Sequence, residues 1–455
     1  MPPVFDVSPL SAAASPAYVP SAQSRALQQK AHRYIPGGCH TYNKGDDQYP
    51  HLAPPVLVGG NGCRVWDVDG NTFIEYGMGS RAVTLGHGYA PVVEAATRAM
   101  QQGTNFLRPS RLEIEYAEAL VDLIPGAEQV KFTKDGSTAT TAAVKLARAY
   151  TGRNGIALCA DHPFFSYDDW FIGTTAMDAG IPASVMRDVH TFRYDDLDSV
   201  RTLFAEHPGE MAALILEPAK YADPTDGFLH ETRRLCHENG ALFILDEMIT
   251  GFRWHLGGAQ AYYDIDADLS TFGKAMGNGF AISALLGKRD IMRLGGVHHD
   301  RERVFLLSAT HGAESHALAA GLAVLEAYRK EGVIEVLQAQ GERLRHGVEQ
   351  VVAAAGLSRY VPIFGKPCNL VFGTRDADGQ PSQPFRTLFM QELVQRGILA
   401  PSFVVSAAHT NAIIDQTIEA VAQALPVYEA ALHDGPERFL VGPPVQPVFR
   451  RYNDR

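Results

Sequence analysis

Residues 241–253 read ALFILDEMITGFR, and residues 270–280 read STFGKAMGNGF. The first stretch is a continuous apolar run that stops on Asp246 and Glu247. A short run without polar alternation predicts a parallel strand buried on both faces. A carboxylate that finishes such a strand needs a partner. Asp246 is then a cap or structural acceptor, or it faces a cation such as a protonated pyridine nitrogen, which turns a ring into an electron sink. The second stretch puts Lys274 among glycines and apolar residues, just after another short strand. Desolvation lowers the pKa of a lysine, and an uncharged amine attacks a carbonyl to form a Schiff base. The ordinary alternative is a surface lysine.

The same alternation continues on both sides. EQVKFT (128–133) predicts a strand, followed by the helical STATTAAVKLARAY (137–150). MAALILEP (211–218) is a buried strand with a helix after it near 228–239, and ISALLG (282–287) is a further apolar run. Apolar runs between helices indicate parallel strands covered on both faces, hence an α/β, doubly wound, mostly parallel sheet. From about 331 the pattern changes to a long helix, EGVIEVLQAQGERLRHGVEQVVAAAG, and the sequence closes with a helix near 411–432. Residues 56–75 alternate as short strands around an Asp69-Gly70 hairpin turn. DVDGN lacks the downstream acidic ligands of a calcium loop. The expected organisation is a loose arm over 1–24, a large domain over 76–330, and a smaller α+β domain from 25–75 plus 331–455.

The composition suits a large enzyme. The chain has 455 residues, of which 46% are hydrophobic, and a net charge of −11. That charge argues against a general nucleic-acid-backbone binder. No run of about 18 apolar residues predicts a membrane span. The first 24 residues carry no basic residue and no apolar core, so no secretory signal is expected. The five cysteines are scattered, without a CxxC pair, which points away from a metal site and towards a reduced cytoplasm.

Two further features fall where α/β sheets place ligands, at the carboxyl ends of strands. FTKDGSTATTAAV joins strand to helix through Asp135, Gly136, Ser137 and Thr138. Backbone N–H groups at a helix N-terminus, flanked by hydroxyls, bind a phosphate; simple N-capping is the alternative. The GK[ST] ending of a Walker loop is absent. Thr310, in LLSATHGAES before another helix, is a candidate for one more phosphate contact or for a cap. A phosphate cradle, a ring-nitrogen carboxylate and a Schiff-base lysine together describe a site for pyridoxal 5'-phosphate.

The motifs YIPGG, LGHGYAPVVEA, KLARAYTGR, LILEP, LFILDEMITGFR, STFGKAMGNGF and ATHGAESHALAAGLAVLE carry a resemblance over roughly residues 25–430. The chain resembles class III, fold-type I pyridoxal-phosphate aminotransferases, particularly the glutamate-1-semialdehyde 2,1-aminomutase-like branch. The resemblance implies a catalytic Lys274, forming the Schiff base and moving the proton, and Asp246 on the pyridine nitrogen. Met248 would pack against the ring, Gly136 and Ser137 would hold the phosphate, and Glu217 would sit near the ring or its hydroxyl. Thr310 would reach the phosphate of the partner subunit, which implies a homodimer with its site at the interface.

Several positions depart from that pattern. The phosphate turn reads Asp135-Gly136-Ser137-Thr138 rather than SGTE, and a carboxylate there disfavours a phosphate unless it points away. DHPFFS (161–166) replaces Tyr-His-Gly; Phe164, with Phe165 close behind, is the candidate for stacking on the ring. Gly79-Ser80-Arg81 replaces the aminomutase Ser-Trp-Gly. Lys44 takes the place of a substrate-gripping arginine and lacks its bidentate fork. A gating glutamate is missing from LAPSFVVSAAHT (399–410). The altered polar set comprises Arg81, His40 and Tyr42 as candidate substrate contacts, with Asp161 and His162.

The favoured reading is an aminotransferase that moves an amino group from a small-molecule amino donor to a keto or aldehyde acceptor, the acceptor being a hydroxylated or sugar-like biosynthetic intermediate. The alternatives are an intramolecular aminomutase of the glutamate-1-semialdehyde type, a catalytically silent pyridoxal-phosphate-binding regulatory protein, and a nucleotide-binding Rossmann enzyme. For the last, GGNGC (59–63) is the one hint, and it lies in a hairpin region rather than a strand-to-helix turn.

Overall fold

A computed structural model describes residues 18–453. The first strands are β1 (Leu57–Asn61), β2 (Arg64–Asp67) and β3 (Thr72–Glu75), an antiparallel meander. Its second turn closes as an Asx turn: Asp67 Oδ1 accepts the N–H groups of Asp69 and Asn71, each at 2.9 Å, and Gly70 takes φ +84°.

Next come β4 (Gln129–Thr133), β5 (Gly155–Cys159), β6 (Val189–Phe192), β7 (Met211–Leu216), β8 (Leu242–Asp246), β9 (Leu269–Phe272) and β10 (Ser283–Gly287). They form one seven-stranded sheet in the order β4-β10-β9-β8-β7-β5-β6. Every residue of β5, β7, β8, β9 and β10 is buried, as the apolar runs of β5 and β7 require, and the burial extends to Ser270 and Thr271 of β9. The helix Gly136–Thr151 lies on this sheet and buries a small-residue face of Ala139, Ala142, Ala143 and Ala147.

The run ISALLG does not make a parallel strand. β10 runs antiparallel to both β9 and β4. Only residues 273–282 separate β9 from β10, with one 3-10 turn and no crossover helix. A connection that short returns the chain antiparallel. The other six strands share one direction, so the sheet remains mostly parallel.

Strands β11 (Ile363–Phe364) and β12 (Val371–Phe372) pair with each other, and β13 (Ile398–Leu399) adds in parallel to β3. The four-stranded sheet is therefore assembled from both ends of the chain. The long helix expected after 331 is Val333–Ala354, and Gly332, in the left-handed region (φ +56°), separates it from the helix Ser315–Glu331 that follows Thr310. Most of the expected loose arm lies outside the described residues, and its last part is not loose. Tyr18 donates to Asp67 Oδ2 at 2.8 Å, Ser21 caps the helix Ala22–Tyr34, and Ser24 is fully buried. The Ser/Ala/Pro composition concealed that cap.

Candidate active site

Asp246 ends β8 and Lys274 follows β9, neighbouring parallel strands, so both stand at the same carboxyl edge. Gly273 leads into the lysine because nothing larger fits: a Cβ there would lie 2.4 Å from Ser283 Oγ and 2.7 Å from Met248 Sδ. Lys274 itself holds φ +45°, a left-handed backbone that side-chain-bearing residues rarely adopt and that concentrates at functional sites. Burial pulls its ammonium below the usual lysine range, against the opposing charges of Asp246 and Glu217.

Asp246 Oδ1 accepts from the Met248 N–H at 3.0 Å and from Thr271 Oγ1 at 3.1 Å. Oδ2 has no partner among the described residues. Burial, and then the charge of Glu217, push the Asp246 carboxyl up to about 7. A bound cation would return it to the ionised form.

Gly136 opens the helix after β4. Its backbone approaches Met248 so closely that a Cβ would sit 2.7 Å from the sulfur, so Met248 lies packed between Gly136 and Gly273. The Gly136 and Ser137 N–H groups have no partner among the described residues, as first-turn donors of a helix lack one. Ser137 Oγ accepts from the Tyr167 N–H at 3.1 Å, leaving its own proton free to donate. Asp135 does not turn away from the cradle. Its Oδ1 accepts from the Thr138 N–H at 2.8 Å and from Thr138 Oγ1 at 3.0 Å. The anion-binding capacity therefore narrows to Gly136 and Ser137.

Glu217 follows β7 and is 3% exposed. Its backbone N–H donates to His162 Nδ1 at 3.0 Å, which assigns the ring proton to Nε2. Burial, with Lys220 nearby, holds His162 neutral, down to about 3. Arg81 ends a turn in which Met78, Gly79, Ser80 and Arg81 all have positive φ. Its Nε donates to Asn369 Oδ1 at 2.8 Å, and its carbonyl accepts from Arg253 at 3.1 Å. The Arg253 guanidinium is fully buried and also donates to the carbonyls of Cys368 at 2.8 Å and Val405 at 3.3 Å.

Lys274, Asp246, Glu217, Arg81, Met248 and the Gly136–Ser137 turn thus converge. The remaining expected residues do not join them within one chain. Phe164 is 47% exposed and meets Phe171 edge-on at 5.7 Å, whereas Phe165 is a core residue. Thr310 is exposed, its carbonyl taking the Asn105 amide at 2.7 Å. His40 and Tyr42 are exposed near the Ser80 turn, to which Asn43 donates at 3.1 Å. Asp161 faces away, paired with Arg193 at 3.0 Å.

Sequence reasoning missed Lys220, Thr271, Arg253 and Tyr167. Of these only Lys220 left a trace, a lysine in EPAK closing a buried run. Pyridoxal 5'-phosphate fits the residues present. Asp246 would offer a carboxylate to a ring cation, Lys274 an amine to the aldehyde, and two free N–H groups would meet the phosphate beside a glycine whose Cβ would crowd Met248.

Comparisons with known proteins agree with this geometry. The class-III aminotransferase family model matches residues 46–425. The glutamate-1-semialdehyde 2,1-aminomutase of Acetivibrio thermocellus is 33% identical over 425 residues, covering 88% of this chain and 96% of that protein. The aminomutase of Desulforamulus reducens is 32% identical over 428 residues, covering 88% and 97%. Among solved structures, the FumI protein of Sphingopyxis sp. MTA144, in its PLP internal-aldimine form, superposes with a TM-score of 0.82 at 28% identity, covering 91% of this chain and 97% of that one. An omega-transaminase from Sphaerobacter thermophilus gives 0.82 at 25% identity, covering 90% and 98%.

Proposed function

The chain belongs to the class-III aminotransferase family, and on that premise we propose that it transfers an amino group from an amino donor to a polar, hydroxylated keto or aldehyde acceptor. One observation carries the reading: Lys274 and Asp246 stand at one strand edge beside the Gly136–Ser137 turn. The enzyme is dependent on pyridoxal 5'-phosphate, which when bound supplies a ring that accepts the electron pair of a broken substrate C–H bond. Asp246 keeps the proton on the ring nitrogen. Lys274 Nζ would take the proton from the substrate carbon and return it. Gly136 N–H, Ser137 N–H and Ser137 Oγ bind the phosphate. Met248 would support the ring, and Phe164, half-exposed and outside the converging set in one chain, would cover it only by turning inward. Arg81, fixed by Asn369, with His40 and Tyr42, meets the substrate.

The working unit is a homodimer with Thr310 donated to the partner's phosphate. Support comes from the apolar side chains left exposed at Phe106, Leu107, Ile114 and Phe305. The chain divides into a large domain over 76–330 and a smaller one from 25–75 and 331–455. A cytoplasmic setting accords with five free cysteines. No helix among the described residues is long and apolar enough to cross a membrane.

Following the cofactor's absorption while glutamate and a donor panel are added tests the reading; no change with any amine would overturn it. Aminomutase chemistry is the second reading, favoured by the named relatives at 32–33% identity. It requires turnover without an external donor.

A further inference from the structure

Three buried polar atoms near the carboxyl ends of β5 and β7 have no hydrogen-bond partner: Lys220 Nζ, Glu217 Oε2 and His162 Nε2. Their residues are 9%, 3% and 4% exposed. They belong to one neighbourhood. The Glu217 N–H binds the His162 ring, Lys220 acts electrostatically on both residues, and the fields of Arg81 and Lys274 reach Lys220. Yet Lys220 and Glu217 do not pair with each other, although each is an opposite charge out of water. Lys220 Nζ lies 5.0 Å from the centroid of the Tyr221 ring and Glu217 Oε2 has no donor, and burial without a hydrogen bond costs several kcal/mol per ion.

The chemistry of the three atoms selects what fits between them. A carboxylate would satisfy Lys220 and His162 but lie against Glu217. An ammonium would satisfy Glu217 but lie against Lys220. A hydroxyl accepts from the ammonium or the imidazole N–H and donates to the carboxylate, and being neutral it adds no charge against either group. The geometry points to Lys220 and Glu217 as the specificity-determining clamp for a hydroxyl of the acceptor substrate, with His162 Nε2 as a further donor beside them. The acceptor class is thus a hydroxylated carbonyl compound, with no carboxylate in this subsite. This inference rests on the aminotransferase reading and specifies its acceptor.

The test uses the holoenzyme and its Lys220→Met variant, which keeps the side-chain length and removes an unpaired buried charge. Each is converted to its pyridoxamine form and offered glyceraldehyde or propanal. The wild type is expected to favour glyceraldehyde in kcat/KM, and Lys220→Met to shrink that preference by about tenfold or more, as for loss of a hydrogen bond to a buried charge. Calorimetric binding of the unreactive polyol erythritol, a readout without turnover, should weaken similarly. An unchanged preference, or equal erythritol binding by both proteins, overturns the inference. So does a variant whose cofactor affinity and absorption change while the preference survives, since the three atoms would then serve the cofactor's ring hydroxyl. A protein that binds erythritol through Lys220 but whose absorption no amine alters would fail the aminotransferase reading alone.

Discussion

Thr271 donates its hydroxyl to Asp246 Oδ1 at 3.1 Å, across the pair of parallel strands whose ends carry Asp246 and Lys274. With the Met248 N–H on the same oxygen, the bond fixes the carboxylate rotamer and leaves Oδ2 for an incoming cation. Thr271→Val keeps the shape and removes one donor. It should cost about 0.5–1.5 kcal/mol of transition-state stabilisation, roughly three- to tenfold in kcat/KM, with cofactor still bound. An unchanged rate would deny Thr271 its positioning role.

Lys274→Ala removes the amine that captures the aldehyde and moves the proton. Loss of general acid–base catalysis alone is worth about 10²–10⁴-fold. The variant should still take up pyridoxal phosphate but show the spectrum of the free aldehyde. Near-normal turnover would remove Lys274 from the catalytic assignment.

The buried carboxyl of Asp246 makes the apoprotein sensitive to pH. Its folded pKa, pushed up to about 7 by burial, lies above the unfolded value of about 4. The fold therefore holds an extra proton across that window, and the stability this confers at low pH is lost as pH rises towards and through 7. Asp246→Asn removes this slope. The variant apoprotein should melt at a higher temperature than the wild type at pH 8, with the gap narrowing steadily as pH falls from 7 towards about 4. Parallel melting curves would contradict the burial argument.

Gly136→Ala sets a methyl 2.7 Å from Met248 Sδ in a cradle that Gly273 closes from the other side. Overpacking of this kind costs about 1–3 kcal/mol. Titration with pyridoxal phosphate should show weaker binding, and Met248→Ala in the same chain should restore most of it. Failure of that rescue would mean that the glycine answers to the phosphate rather than to the methionine.

Asp135→Ser keeps a cap on the Thr138 N–H and removes a negative charge from the phosphate's end of the helix. Helix-terminus charges are worth about 0.3–1 kcal/mol at low ionic strength. Cofactor binding should tighten up to about fivefold in low salt, and the gain should fade as salt is raised. A weaker complex would show that the Asp135 carboxylate organises the turn more than it repels the ligand.

What could be read beforehand follows from the range of the interactions. Asp246, Lys274 and the Gly136–Ser137 turn are marked locally, each by a polar residue or glycine at the end of an apolar run, and strand ends gather at one sheet edge by topology. Thr271 and Arg253 matter through partners far along the chain, and no local period records such partners. The reversed β10 was hidden for a related reason: an apolar run shows burial, whereas direction depends on the length of the connection before it. Ser21, capping a helix in a stretch of loop-like composition, shows the opposite case, one side-chain hydrogen bond outweighing the composition around it.

Arg253 holds the carbonyls of Arg81, Cys368 and Val405 in one buried guanidinium fork. During synthesis these carbonyls leave the ribosome far apart in time. The last strand of the large sheet ends at Gly287, whereas Asn369, which holds the Arg81 side chain, and β13, which adds to β3, come much later in the chain. A polypeptide truncated before Cys368 would therefore contain all seven strands of the large sheet yet lack Asn369 for the Arg81 side chain and two of the three carbonyls that fill the Arg253 fork.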